Sequence, residues 1–181
     1  NTFSAQAVSM ADFDMQHLVR EMNLEAARIA REAAQEYTRR DPSRPRFVAG
    51  AVGPMNVTLS LSPDVNEPAY RAVTFDEVKE AYKEQILALI EGQVDLLRFE
   101  TIFDTQNSKA GLIAAAEAFE ESGVELPIMI SMTITDASGR TLSGQTLQAF
   151  YTSVEHAAPF TIGINCALGP DEMRSYVEEM S

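Results

Sequence analysis

Short apolar runs alternate with long segments of helical period, and this alternation constrains the chain more than any other feature. Residues 46–52 (Arg-Phe-Val-Ala-Gly-Ala-Val), 94–102, 126–135 and 159–166 read as buried strands. Between them lie helical patterns. In the later part of 12–40, Leu18, Met22, Ala26, Ile29, Ala33 and Tyr37 make one apolar stripe, closed by Arg39-Arg40-Asp41-Pro42. Thr74-Phe75-Asp76-Glu77 has the spacing of a capping box. The helix after it carries Val78, Ala81, Tyr82, Ile86 and Leu89 on one face, and Gly92 ends it. Residues 105–121 read as an Ala-rich, solvated outer helix and 146–157 as a further one. Gly169-Pro170-Asp171-Glu172 opens the last, with Pro and acids in its first turn. Residues 55–73 have no period and read as a long loop, a length that in a compact domain often carries function.

Strand, helix, strand, helix, with crossovers this long, means α/β with parallel strands and outer helices. An open doubly wound sheet and a (β/α)8 barrel both fit that order. Neither GxGxxG nor a Walker loop is present. Unusual polar residues gather instead where the strands end: Gly53 to Asn56, Glu100, Thr133 to Asp136, and Asn165-Cys166. A barrel brings all such ends to one face, so a TIM barrel is favoured. A full barrel needs eight strands and about 250 residues. The 181 residues here supply four strands, with Asn1-Thr2-Phe3 as the exit of a fifth, so the expectation is a partial barrel. The chain opens on Asn1 rather than Met, which points the same way.

Asp plus Glu number 27 against 14 Lys plus Arg, a net charge of −13. That surface repels phosphate backbones and anionic lipid, so neither nucleic acid nor a membrane surface is an expected partner. No run approaches the ~18 apolar residues of a membrane helix, and no basic-then-apolar leader begins the chain. One cysteine, Cys166, excludes an internal disulfide framework and fits a reducing, cytoplasmic setting.

Cys166 follows an apolar strand and precedes a helix N-terminus, a setting that favours the thiolate that binds metals or attacks. A buried structural thiol fits the same position. Glu100 ends a strand where a carboxylate is costly unless paired. It is placed to hold an amine or act as a base, or to pair with Arg98 two residues away on the same side. His17 and His156 lie on helical patterns and read as surface residues. Asp136, Ser138, Arg140, Ser143 and Gly144 read first as turn chemistry, as does Gly53-Pro54. One plausible ligand against the three protein ligands of a catalytic zinc means that composition alone does not indicate a metal.

Six segments carry a resemblance: Asn1-Thr2-Phe3, residues 48–54 (VAGAVGP), 62–66 (SPDVN), 99–105 (FETIFDT), 133–146 (TITDASGRTLSGQT) and 163–170 (GINCALGP). Together they resemble the homocysteine-binding domain of cobalamin-dependent methionine synthase. The segments at 133–146 and 163–170 are the long and specific ones. The resemblance runs through essentially the whole chain, and places residues 1–181 in the centre of that barrel, from the end of strand two through helix six.

The resemblance implies a zinc site and a substrate pocket at the strand ends. Cys166 would be one of three cysteine ligands to zinc, the other two forming an adjacent pair on a later strand outside these residues. Zinc would activate the homocysteine thiol, which attacks a methyl group on methylcobalamin presented by another domain, while a folate domain reloads it. Glu100 would hold the substrate amino group and Asn165 would line the pocket beside the metal. This piece alone would be inactive. Arg98 stands where relatives have an aliphatic residue, and Met55 and Met132 where small or polar residues are frequent. Three other readings share the pattern: a betaine- or S-methylmethionine-dependent homocysteine methyltransferase, a non-catalytic partial barrel serving as an interaction module, and a metal-free barrel enzyme with Glu100 as base.

Overall fold

A computed structural model describes residues 1–135, 137–165 and 168–181. A short helix, α1 (Ala7–Met10), and two 3-10 turns precede α2 (Val19–Arg40). From there strands and helices alternate: β1 (Ala49–Val52), α3 (Phe75–Glu91), β2 (Leu96–Ile102), α4 (Thr105–Ser122), β3 (Ile128–Met132), α5 (Leu147–Val154), β4 (Thr161–Ile164) and α6 (Pro170–Met180). The four strands pair in parallel in the order β1-β2-β3-β4. A sheet whose spatial order follows the chain without reversal, with right-handed crossovers, keeps its helices on one side. That is an arc of barrel wall, and it separates this fold from a doubly wound sheet, whose order reverses.

The two faces of the sheet differ in kind. Leu97, Phe99 and Ile130 point towards the helices and are buried with Val52, Tyr82, Ala110 and Ala114. Phe99 meets Tyr82 edge to face, ring centroids 6.4 Å apart. It also lies so close to α4 that a Cβ on Gly111 would come within 2.7 Å of its ring. The opposite face carries one row across the register, Ala51, Arg98, Met129 and Thr161, and above it Glu100, Ser131 and Gly163. This is the inner face of the wall.

The capping box is present: Glu77 N–H donates to Thr74 Oγ1 (3.3 Å), and Thr74 N–H donates to Glu77 Oε2 (2.7 Å). The Thr74 N–H and the Thr74 hydroxyl (2.8 Å), both donating to Glu77 Oε2, hold the Glu77 carboxyl below the usual range. Asn1–Phe3 runs beside β1, with Gly53 N–H donating to Phe3 O (3.0 Å) and Thr2 Oγ1 to Ala51 O (2.7 Å). The segment is not a strand itself. Among the described residues, no helix is long and apolar enough to cross a membrane.

Two expectations are corrected. In α2 the buried face is Val19, Asn23 and Ala27, one residue round from the stripe read in the sequence, and Ile29 and Tyr37 are exposed. A polar residue hid the true face. Asn23 Nδ2 donates to Ala5 O and Val19 O (both 2.7 Å), and its Oδ1 accepts from Gln85 of α3 (3.3 Å). Ala27 then lets α2 approach Gly92 closely, since a Cβ there would fall 2.5 Å from that of Ala27. Nor is α4 a solvated outer helix. Ala110, Ala114, Ala115 and Ala118 are fully buried, and two of its acids, Glu117 and Glu121, lie along the α3 side. There Lys79 Nζ meets Glu117 (2.8 Å) and Lys83 Nζ meets Glu121 (3.0 Å).

Candidate functional site at the strand ends

Parallel strands bring their C-terminal ends to one side, and the side chains there come from all four strand ends. After β1 the chain turns at Gly53-Pro54 and enters the long loop. Tyr82, wholly buried beneath this turn, donates its hydroxyl to Gly53 O (3.1 Å). Burial, with the Asp104 charge adding to it, pushes the Tyr82 pKa up, so the hydroxyl remains a donor.

Asp104, which caps α4, fixes the loop. Its Oδ1 accepts from Gln106 N–H (2.8 Å), Asn107 N–H (3.1 Å) and Ser60 Oγ (2.8 Å), and its Oδ2 from Ser60 N–H (2.9 Å). Asn107 adds two bonds, accepting from Leu59 N–H (2.9 Å) and donating to Val57 O (2.8 Å). Arg71 closes the far half of the loop, donating to Leu59 O, Pro68 O and Tyr70 O. The loop is therefore held to the helix start that follows Glu100. Sequence reading did not single out Asp104. Its signal was an Asp immediately before Thr105-Gln106-Asn107, an ordinary N-cap pattern.

Glu100 lies on the inner face near the end of β2, and its side chain is 15% exposed. Its Oε2 meets Arg98 Nη2 at 2.9 Å, and the Arg98 side chain is 46% exposed. The ion pair anticipated from the two-residue spacing is present. Beyond Glu100, β2 departs from regular geometry. Phe99 pairs with Ile130 and Ile102 with Met132, so Glu100 and Thr101 together stand opposite Ser131. This is a β-bulge with one extra residue in β2. Thr101 has φ +61°, a left-handed conformation that a β-branched residue rarely adopts.

Asn165, just past β4, reaches across to that bulge. Thr101 N–H donates to Asn165 Oδ1 (3.1 Å), Asn165 Nδ2 donates to Thr101 Oγ1 (2.8 Å), and Ser131 Oγ donates to the same Oδ1 (2.6 Å). Three neighbouring strands are tied through one amide.

Cys166 and Asp136 lie outside the described residues. Of the turn residues, Arg140 donates to Gly144 O (2.8 Å), Ser143 N–H donates to Phe103 O (3.2 Å), and Gly144 has φ +88°. His17 and His156 are exposed in 3-10 turns. Met55 and Met132 belong to the buried core. Among the described residues, no three His, Cys, Asp or Glu come together as a metal site. With a single cysteine in the sequence, the residues present do not by themselves make the zinc site the resemblance implies.

The family model for homocysteine S-methyltransferase matches residues 1–181. The chain belongs to the homocysteine S-methyltransferase family. Solved structures of the homocysteine methyltransferase MmuM from Escherichia coli share the fold. The metallated form superposes with a TM-score of 0.76 at 20% identity, covering 99% of this chain and 60% of that one. The apo form gives 0.68 at 18% identity, covering 91% and 55%. The oxidized form gives 0.55 at 14% identity, covering 99% and 77%. This chain thus spans about three-fifths of the length of the metallated form. The likeness supports the barrel reading of the four-stranded arc.

Proposed function

We propose that residues 1–181 are the central part of a homocysteine S-methyltransferase barrel, from the end of its second strand through its sixth helix. Family membership over every residue is the observation that carries this reading. The methyl donor we assign is methylcobalamin, presented by another domain of the same parent protein and reloaded by a folate domain, in the cytoplasm. The product is methionine.

In this reading Glu100 receives the ammonium group of homocysteine. A carboxylate on the inner face with a half-exposed partner can exchange Arg98 for a substrate cation without leaving a charge buried and alone. Asn165 lines the same mouth. Cys166 contributes one thiolate to zinc, and the remaining ligands come from outside these residues. The cofactor's chemistry is to lower the pKa of a bound thiol. The chain's own part is to orient: the loop held by Asp104 and Asn107 walls one side, and the bulge of β2 sets where Glu100 points.

The test is to supply the full-length gene product with homocysteine and each of three donors. Methionine from methylcobalamin is the expected result. Methionine only from betaine or S-methylmethionine would overturn the donor. No methionine from any of the three would overturn the methyltransferase reading and favour a binding module or a metal-free enzyme.

A further inference from the structure

We propose that Asn165 is a positioning residue: it acts on substrate through Thr101 and Glu100 rather than by touching substrate itself. The inference rests on the reading of Glu100 as the ammonium-binding group, and deepens it.

The argument starts from the backbone. The bulge inserts one residue into β2 immediately after Phe99, and Thr101 takes φ +61°. For a β-branched residue that conformation is strained. A strained residue persists only where its surroundings hold it. Here two holding contacts come from Asn165, which bonds both the N–H and the hydroxyl of Thr101. Its Oδ1 also takes the Ser131 hydroxyl, so the amide is fixed from the intervening strand. One side chain thus fixes the residue that follows Glu100 while itself directly preceding Cys166 in the chain. Without the clamp, β2 is free to return to a regular register. A regular register past Phe99 would turn Ile102 out of the core onto the inner face and move the backbone that carries Glu100, so the carboxylate would lose its set position.

Glycine adopts φ near +60° with no Cβ penalty, so Thr101→Gly removes the strain that Asn165 is argued to hold. This gives a cycle that separates a clamp from a direct contact. In the full-length protein, kcat/KM would be measured for homocysteine and for 4-mercaptobutanoate, the same thiol acid without its amino group. Their ratio reports recognition of the ammonium. Asn165→Ala is expected to lower that ratio about tenfold, a typical coupling for residues sharing one network. Adding Thr101→Gly should restore it to within about threefold of the wild type, with Thr101→Gly alone as the cycle's reference.

A double variant no better than Asn165→Ala would overturn the proposal. Should Asn165→Ala not fold, recovery of folded protein by the added Thr101→Gly takes the place of the ratio, and failure of the double variant to fold overturns it. Glu100→Gln is the separate control. An unchanged ratio there overturns the Glu100 reading and the proposal with it. A collapsed ratio without rescue in the double variant overturns only the role given to Asn165.

Discussion

Asp104→Ala should unfasten the loop after β1 from the start of α4. The carboxylate is 3% exposed and accepts four hydrogen bonds. Two come from the first turn of α4, and losing an N-cap of this kind costs about 1 kcal/mol. The other two come from Ser60, whose N–H and hydroxyl would be left beside an apolar methyl group. Orphaning a buried donor costs about 1–3 kcal/mol, and the half-buried position of Ser60 keeps the figure low. The sum is about 3 kcal/mol, roughly a hundredfold in the unfolding equilibrium. Asp104→Asn should cost less, because its carbonyl oxygen still caps α4.

Urea unfolding measures the total, and hydrogen exchange locates it. The amides of Leu59 and Ser60, which donate to Asn107 and Asp104, should lose protection together in Asp104→Ala while the core of β2 keeps its own. An Asp104→Ala protein within 1 kcal/mol of wild type, with the Ser60 amide still protected, would refute the claim that this carboxylate fastens the loop to α4.

Arg98→Leu removes Glu100's partner and is expected to lower KM for homocysteine in the full-length protein, by up to about fivefold for a half-exposed pair; a higher KM would show that Arg98 helps rather than competes. Residues 1–181 alone should hold well under one zinc per chain by elemental analysis. Stoichiometric zinc on a monomer, abolished by Cys166→Ser, would contradict that. Glu77 titrates below the usual carboxylate range because Thr74 donates to it. Its contribution to stability is therefore present above the unfolded carboxylate value, about 4.3, and is lost as pH falls through the folded value. Glu77→Gln should flatten the loss of stability between about pH 5 and pH 3. An equally steep loss in that variant would show that the capping box carries none of it.

The alternation of elements was legible because strand interiors and helix caps are written locally. Gly92, Thr74-Glu77 and Gly169-Pro170 mark boundaries by their own chemistry, and the structure places helix ends within a residue of them. The parallel order followed from crossover length alone. Arg98 with Glu100 was legible too, since period two puts both on one face. The buried side of α2 was not, because it runs through Asn23, and a polar residue satisfied by distant carbonyls has no signature in a local pattern. The bulge was not legible either. Thr101 is a good strand residue by composition, and nothing near it marks a left-handed backbone. Its partner there is Asn165, sixty-four residues on, which bonds the Thr101 N–H and hydroxyl.

That distance explains why the mouth of the arc is polar while the wall stays stable. Each strand sends alternate side chains into the helix layer, where Leu97, Phe99 and Ile130 are buried, and these hold the sheet whatever faces inward. The inner face is free to carry Arg98, Glu100, Ser131 and Asn165. Polar groups there satisfy one another across strands, as the Asn165 amide does with Thr101 and Ser131. A network of this kind has a geometric consequence that an apolar contact lacks: its donors and acceptors match in one register only. The same bonds that offset the strain at Thr101 therefore also select the bulged β2 over the regular one. The position of Glu100 is then a property of β2, β3 and β4 together, and a change in any of the three strand ends should be felt at the carboxylate.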